Sequence, residues 1–325
     1  MTDGALLSTA DLAVHFPIRG GLTGRPKGWV RAVDGVSLTV KRGETLALVG
    51  ESGCGKTTTG MAVMGMTKPT GGRIAFDGGP VFDTRGNVSQ PIRREMQLVF
   101  QDPFSALNPR MPIGESIGEP LRLLPELSSR DRRDRVAEVL ERVGLSAAHA
   151  ARMPNEFSGG QRQRIVIARA IAPEPRLIVC DEPVSALDVS VRSQILNLLM
   201  ELQAELGLTY LFISHDLSVV RHISDRVAVM YLGRIVEEAS TEALFDGPRH
   251  PYTEALMSAI PLPDPASQRS RRRIILEGDL PSPSNPPAGC RFSTRCPMAD
   301  DRCHGEDQQL ATTDRSHEVA CWKRA

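Results

Sequence analysis

The chain has 325 residues, a length that predicts about two domains at roughly 150 residues each. Its 39 basic and 39 acidic side chains cancel to a net charge of zero, whereas proteins that grip nucleic-acid phosphates usually carry a basic excess. No apolar run approaches the roughly 18 residues of a membrane span, and the N-terminal segment lacks the basic region of a secretory signal. We therefore expect a globular chain that is neither exported nor membrane-spanning and that has no nucleic-acid partner.

Strand-like and helix-like patterns alternate along the chain. Strands are predicted over residues 5–16, 30–49, 176–181 and 209–214, with a loop over 17–28. Helices are predicted from about Gly55 and over residues 130–143, 159–171 and 189–206. This alternation indicates an α/β fold with a largely parallel sheet.

Residues 50–57, GESGCGKT, match the phosphate-binding pattern GxxxxGK[ST] between a predicted strand and a predicted helix. Glycines allow backbone N–H groups to converge on phosphate oxygens, and the helix N-terminus adds a partial positive charge. Lys56 is predicted to reach the β- and γ-phosphates, and the Thr57 hydroxyl to ligate Mg²⁺. The predicted ATP site comprises Gly50, Glu51, Ser52, Gly53, Cys54, Gly55, Lys56, Thr57 and Thr58.

A second apolar strand, residues 177–180, ends in two carboxylates. Asp181 is predicted to join the Mg²⁺ shell, and Glu182 to orient and polarise the attacking water. The alternative is that both acids only cap the end of the strand.

Residues 157–161, FSGGQ, resemble the LSGGQ signature of ABC ATPases, with Phe157 in place of leucine. The other family motifs occur in the family's order over residues 5–240. The resemblance implies a P-loop, ABC-type nucleotide-binding domain with a helical subdomain at about 102–160. It also implies that two subunits pair head to tail, so that the signature contacts the ATP of the partner subunit. The signature residues carried over are Ser158, Gly159, Gly160 and Gln161.

The resemblance assigns roles to four further side chains. His215 is expected to hydrogen-bond the γ-phosphate and hold the water geometry. Gln101 is expected to sense Mg²⁺ and that water, and to link the site to the helical subdomain. Phe16 is expected to stack on adenine, with core packing as its alternative. Asp188 is expected at the dimer seam, where it could also cap the following helix.

Four segments, residues 99–111, 229–237, 248–261 and 289–297, narrow the resemblance to dipeptide/oligopeptide importer ATPases. Residues 114–121 look like the F-type subunit of that family. The resemblance implies an ATP-hydrolysing motor, peripheral on the cytoplasmic face of the inner membrane. Its expected partners are a D-type ATPase subunit, two permease subunits and an extracytoplasmic solute-binding protein. Nickel-transporting relatives share these motifs.

Two other functions stay open at this point. One is a soluble ABC ATPase that acts on DNA or ribosomes; such proteins typically fuse two modules or insert a long coiled coil, and this chain shows neither. The other is a regulatory ATPase without turnover. The predicted domains are an ATPase domain over 1–260 and a proline-rich linker with a cysteine-rich extension over 261–325.

The C-terminal end is crowded with four cysteines, Cys290, Cys296, Cys303 and Cys321. In a reducing cytosol, clustered thiols suggest a metal site before disulfides. The spacing lacks the C-x2–4-C knuckle that is usual in structural zinc sites, whereas four thiolates can hold a [4Fe–4S] cluster. A cluster, free or core thiols, and zinc all stay open. His304 and His317 could substitute as ligands but are expected at the solvated surface, and the basic run at 271–273 is expected on a solvated or interdomain face.

Overall fold

The computed structural model describes residues 4–20, 26–260, 274–314 and 317–325. The chain divides into two compact units. The first unit comprises Met1–Leu7, Val40–Glu44 and Phe76–Ile213, and the second comprises Ser8–Thr39, Thr45–Ala75 and Ser214–Ala325. Within the described residues, no helix combines the length and the apolar character that crossing a bilayer requires.

The strands are β1 (Ala5–Arg19), β2 (Pro26–Lys41), β3 (Thr45–Val49), β4 (Gly71–Phe76), β5 (Gly79–Pro80), β6 (Met96–Val99), β7 (Leu177–Asp181), β8 (Thr209–Ser214), β9 (Arg226–Tyr231), β10 (Arg234–Ser240), β11 (Ala311–Asp314) and β12 (His317–Val319). The α-helices are α1 (Lys56–Val63), α2 (Gln90–Glu95), α3 (Pro103–Ala106), α4 (Ile113–Gly118), α5 (Ser129–Arg142), α6 (Gly159–Ile171), α7 (Val189–Leu206), α8 (Leu217–Ile223), α9 (Thr241–Asp246), α10 (Pro251–Ser258) and α11 (Asp301–Gly305). Short 3₁₀ helices lie at Pro120–Leu123, Ala147–Ala151 and Pro154–Glu156.

The predicted strands form where the sequence places them, but some of them begin or end at residues other than those predicted. The strand predicted over 30–49 is two strands, because a turn between Lys41 and Thr45 separates β2 from β3, and Gly43 lies there with φ +70°. The loop predicted over 17–28 was too long, since β1 continues to Arg19 and β2 begins at Pro26. Strand pairing overrides the turn-forming composition of this region.

In the first unit, β6, β7 and β8 pair in parallel. The residues of β7 from Leu177 to Cys180 are fully buried, as expected for a parallel strand covered on both faces. The buried side of α6 contributes Ile165, Val166 and Ile167 to the core. The carboxyl end of β7 therefore presents Asp181 and the residues after it at the edge of a rigid sheet.

In the second unit, β3 pairs in parallel with β9, and β10, β12 and β11 continue the sheet in antiparallel order. Three fully buried rings, Tyr231, Tyr252 and Phe292, meet with centroids 4.7–5.6 Å apart. Phe292 comes from the C-terminal segment, so this segment shares one hydrophobic core with β3 and β9.

The proline-rich region 261–287 is described only from Ile274 onward, and the basic run at 271–273 lies outside the described residues. Residues 274–287 form neither helix nor strand. They are nevertheless tied to β2, since the Arg31 N–H donates to the Pro283 carbonyl at 2.9 Å.

The prediction that His317 is a surface residue was wrong, whereas His304 is exposed. His317 Nε2 lies 2.7 Å from Oε1 of Glu237, a fully buried carboxylate on β10. The backbone N–H groups of Arg249 and His250 also donate to Glu237, at 2.7 and 2.9 Å. A buried carboxylate needs such partners, so His317 fixes β12 to the edge of β10.

Replacing His317 by alanine would leave one lone pair of the buried Glu237 carboxylate without a partner. We expect His317→Ala to lower the free energy of unfolding by about 1.5–3 kcal/mol, the range for hydrogen bonds to charged groups. Denaturant unfolding of the full chain measures the change, and His304→Ala, at an exposed position, is the matched control. Equal midpoints for the two variants would contradict this role for His317.

Candidate functional site

The predicted phosphate loop joins β3 to α1 in the second unit. Gly50 and Gly55 have φ angles of +154° and +110°, which side-chain-bearing residues rarely adopt. A Cβ atom on Gly50 would lie 2.1 Å from the Met230 carbonyl oxygen, and one on Gly55 would lie 2.1 Å from that of Ala32. Only glycine lets the loop backbone pass this close to its neighbours.

Lys56 is the first residue of α1 and is almost fully buried. Its Nζ donates to the carbonyls of Gly50 and Glu51 at 2.8 and 3.0 Å, so the ammonium lies inside the loop. Cys54 is buried beside it, and burial raises the pKa of the Cys54 thiol. The predicted loop residues thus form one compact cradle with a cation at its centre.

Two distant side chains hold the loop residue Glu51. The Glu51 N–H donates to Tyr252 Oη at 2.8 Å, and Arg295 donates to both Glu51 carboxylate oxygens at 2.8 and 3.3 Å. No local pattern in the sequence links these residues to Glu51, since Tyr252 lies 201 positions and Arg295 lies 244 positions further along the chain.

In the first unit, Asp181 ends β7 and is buried, and Glu182 follows it with φ +47°. This left-handed conformation is uncommon for a residue other than glycine and clusters at functional sites. The Glu182 N–H donates to the Ile213 carbonyl at 2.9 Å, which holds the strained backbone. Gln101 Nε2 donates to Glu182 Oε2 at 3.0 Å. The structure therefore brings Gln101 and Glu182 together.

The predicted signature forms the N-terminus of α6 as a capping box. Ser158 Oγ accepts from the Gln161 N–H at 3.3 Å, and Gln161 Oε1 accepts from the Ser158 N–H at 3.0 Å. The S-x-x-Q spacing is a helix-start pattern that predicts this pair. Phe157, which replaces the signature leucine, is buried with its ring against His149. Gly159 and Gly160 are partly exposed at the helix end.

The other predicted residues lie at loop or strand positions. His215 is exposed between β8 and α8. Asp188 is exposed and is the N-cap residue of α7, as its alternative predicted, but its side chain makes no capping hydrogen bond. Phe16 is 44% exposed, so the alternative of core packing was wrong. Trp29 on β2 is 48% exposed, a second surface aromatic that carried no prediction.

All four C-terminal cysteines border one small, mainly apolar cavity in the second unit. Burial raises the pKa of the Cys290 thiol to about 11. Thiolate sulfur is the donor that an iron–sulfur cluster takes, so the residue types fit one. Within the part of the chain that the structure describes, however, no three Cys, His, Asp or Glu side chains are grouped as metal ligands. The structure thus places the four thiols around one cavity but does not group them as metal ligands.

Comparisons with known proteins decide the family. Residues 33–185 match the family model described as ABC transporter, and residues 236–303 match the one described as oligopeptide/dipeptide transporter, C-terminal region. The chain is 51% identical to the oligopeptide transport ATP-binding protein AppF of Bacillus subtilis, over 97% of this chain and 96% of that protein. It is 52% identical to OppF of Salmonella typhimurium, over 98% of this chain and 96% of that protein.

The chain belongs to the ABC transporter ATP-binding proteins. Two solved structures agree with this assignment. The ABC transporter component cbiO1 of Clostridium perfringens is 29% identical with a TM-score of 0.64, covering 75% of this chain and 92% of that one. An ATP-binding cassette dimer bound to ADP and phosphate is 29% identical with a TM-score of 0.62, covering 72% of this chain and 98% of that one. The predicted α/β ABC fold and ATPase class are confirmed.

In this ABC ATPase, Gly160 packs directly against α7. A Cβ atom there would lie 2.4 Å from Val191 Cγ1, whereas one on Gly159 would lie 3.7 Å from its nearest neighbour, an ordinary contact. We expect Gly160→Ala to cost about 1–3 kcal/mol of stability through overpacking and to reduce ATP hydrolysis. Gly159→Ala is the matched control and should retain its stability.

Thermal unfolding and steady-state ATPase assays measure both effects. If the clash is the cause of the lost stability, adding Val191→Ala to Gly160→Ala should restore the melting temperature. A double variant that stays as unstable as Gly160→Ala would rule out this steric explanation.

Proposed function

We propose that this ATPase is the motor subunit of an importer for di- or oligopeptides. The observation that carries the proposal is the match over nearly the whole chain to relatives named as peptide transport ATP-binding proteins, about half of whose residues are identical. The family model of the oligopeptide/dipeptide transporter C-terminal region adds support from an independent segment. ATP binding and hydrolysis would drive two membrane permeases, fed by a solute-binding protein.

Phosphoryl transfer to water depends mainly on positioning and on electrostatic stabilisation. The phosphate loop with its buried Lys56 is suited to bind the ATP phosphates. Thr57 and Asp181 carry the oxygen donors that Mg²⁺ prefers, and the cation would neutralise phosphate charge. Glu182 would take the water proton, and its bond to Gln101 supports a common role for these two residues.

The remaining site residues enter the proposal through the family motifs. Ser158, Gly159, Gly160 and Gln161 would contact the ATP of a second subunit, where the partial positive charge at the N-terminus of α6 would favour the phosphate charge. His215 would hydrogen-bond the γ-phosphate, exposed Phe16 would stack on adenine, and Asp188 would lie at the dimer seam.

The wider organisation follows the same family. The second subunit would be a distinct D-type ATPase, and the assembly would lie on the cytoplasmic face of the inner membrane. The helical segment at about 102–160 would couple nucleotide state to the permeases. A boundary near residue 260 between the ATPase domain and the extension stays a prediction.

The four C-terminal cysteines would hold an iron–sulfur cluster. Their position around one cavity supports this proposal, because all four sulfur donors of a [4Fe–4S] cluster are present there. The cluster would tie the extension together as a structural centre. Zinc, which also takes four thiolates, is the competing occupant.

Replacing Glu182 by glutamine keeps the shape of the side chain and removes its basicity. We expect Glu182→Gln to lower the hydrolysis rate by about 100-fold or more, the usual contribution of a general base, while ATP stays bound and locks the dimer. Single-turnover hydrolysis and size-exclusion chromatography with ATP measure the two effects. Turnover near the wild-type rate would refute Glu182 as the base.

Lys56→Ala tests the phosphate loop, with ATP affinity measured by fluorescent-nucleotide titration and dimer formation by size-exclusion chromatography. Loss of the loop cation is expected to weaken ATP binding about tenfold or more and to prevent dimer locking. Unchanged ATP affinity would contradict the assignment of the phosphate loop.

The importer itself is tested by gentle purification of the tagged chain from native membranes. We expect two permeases, a second ATPase and a solute-binding protein to co-purify, together with about four iron and four sulfide per chain. Recovery with ribosomes or DNA and without permeases would contradict the proposed function.

The metal measurement has its own control. Cys303→Ala should lose iron and sulfide, whereas Cys180→Ala, at a buried position on β7, should retain them. Zinc without sulfide would favour the zinc site, and absence of both metals would contradict any cluster.

A further inference from the structure

The C-terminal extension reaches the phosphate loop through one side chain. We infer that Arg295 is a positioning residue for ATP binding, which acts on the loop through the carboxylate of Glu51. The inference goes beyond the motor function but depends on the proposed role of residues 50–57 as the ATP site. Both residues belong to the second unit.

The contact between Arg295 and Glu51 is a two-pronged ion pair. The two guanidinium nitrogens lie 2.8 and 3.3 Å from the two carboxylate oxygens. The arginine side chain is 10% exposed and the Glu51 side chain 29% exposed, and the arginine Cζ lies 5.9 Å from the centre of the Tyr231 ring. Two parallel hydrogen bonds fix the direction of the pair, and partial shielding from water strengthens it. A fully exposed ion pair would contribute little. It therefore restricts where Glu51 can lie.

Glu51 is also held at its main chain. Its N–H donates to Tyr252 Oη, and Tyr252 is packed in the buried aromatic cluster with Tyr231 and Phe292. The Glu51 carbonyl accepts from Lys56 Nζ at 3.0 Å. A shift of Glu51 would thus move one of the two carbonyls that hold the loop lysine.

Arg295 itself is anchored from two sides. The backbone N–H of Arg295 donates to the backbone carbonyl of Phe292, a core residue, at 3.0 Å. Four residues earlier, Arg291 forms an ion pair with Asp34, which also accepts from His15. The segment that carries Arg295 is therefore fixed independently of the loop, as a residue that positions another must be.

Loss of the pair would let the loop sample conformations that do not bind phosphate. ATP affinity then falls in proportion to the fraction of binding-competent loop. The chemical step is affected much less once ATP is bound, because Arg295 touches no reacting atom. The expected signature is a higher Kd and KM for ATP with a nearly unchanged kcat.

The test measures ATP binding to the full-length chain by fluorescent-nucleotide titration, and KM and kcat in the purified transporter. Arg295→Gln is expected to raise the Kd about tenfold, within the range of coupling between sites, and to change kcat less than about twofold. Arg324→Gln is the matched control, since Arg324 forms a more exposed ion pair with Glu254 at 3.2 Å. It should leave both constants unchanged.

A double-variant cycle separates positioning from a general structural role. If Arg295 acts through Glu51, then Glu51→Gln raises the Kd, and the double variant binds ATP no more weakly than Arg295→Gln alone. Arg295→Lys keeps the charge without the bidentate geometry and should give an intermediate Kd. Additive effects, or equal effects of Arg295→Gln and Arg324→Gln, would overturn the inference.

Two outcomes distinguish this inference from the site assignment. If Lys56→Ala leaves ATP affinity unchanged, the loop is not the ATP site and the proposed function fails with it. If Lys56→Ala weakens binding but Arg295→Gln and Glu51→Gln do not, only the inference about Arg295 fails. Should Arg295→Gln unfold the extension, seen as a large drop in melting temperature, Glu51→Gln alone decides, because it changes no residue of the extension.

Discussion

The close passage of the phosphate loop between two backbone segments is the constraint on which the conformation of that loop depends. At Gly50 and Gly55 the loop lies so near the carbonyls of Met230 and Ala32 that no side chain fits. Backbone N–H groups converge on a phosphate only where the loop adopts left-handed and other unusual backbone conformations. Glycine adopts these conformations readily, and other residues rarely do. The buried Lys56 completes this cradle by bonding to the loop carbonyls.

The C-terminal segment is part of the framework that holds the loop. Phe292 joins the ring cluster of Tyr231 and Tyr252, and Tyr252 in turn contacts the loop through its hydroxyl group. The buried pair of His317 and Glu237 fixes the last strand to β10. The region that matches the oligopeptide/dipeptide transporter C-terminal model is thus joined to the phosphate loop and its sheet by packing, by buried polar contacts and by an ion pair.

Motifs that are continuous in the chain could be predicted from the sequence. The phosphate loop follows an apolar strand and opens a helix, and its glycines and lysine identify it without any tertiary information. The exact bounds of α6 and α7 were also predictable, because Ser158 starts one helix and Gly207, with φ +64°, ends the other. Local backbone preference suffices wherever one short segment carries all the required groups.

What the sequence determined by itself is therefore the α/β class, the ABC family and the order of its motifs. Only the tertiary structure decided the burial of His317, the bond between Gln101 and Glu182, and the reach of Arg295 to the loop. A polar side chain is equally suited to water or to a buried partner of complementary charge, and its own sequence neighbourhood does not say which it meets. Packing of distant segments supplies that partner, so these contacts become visible only when the chain is folded.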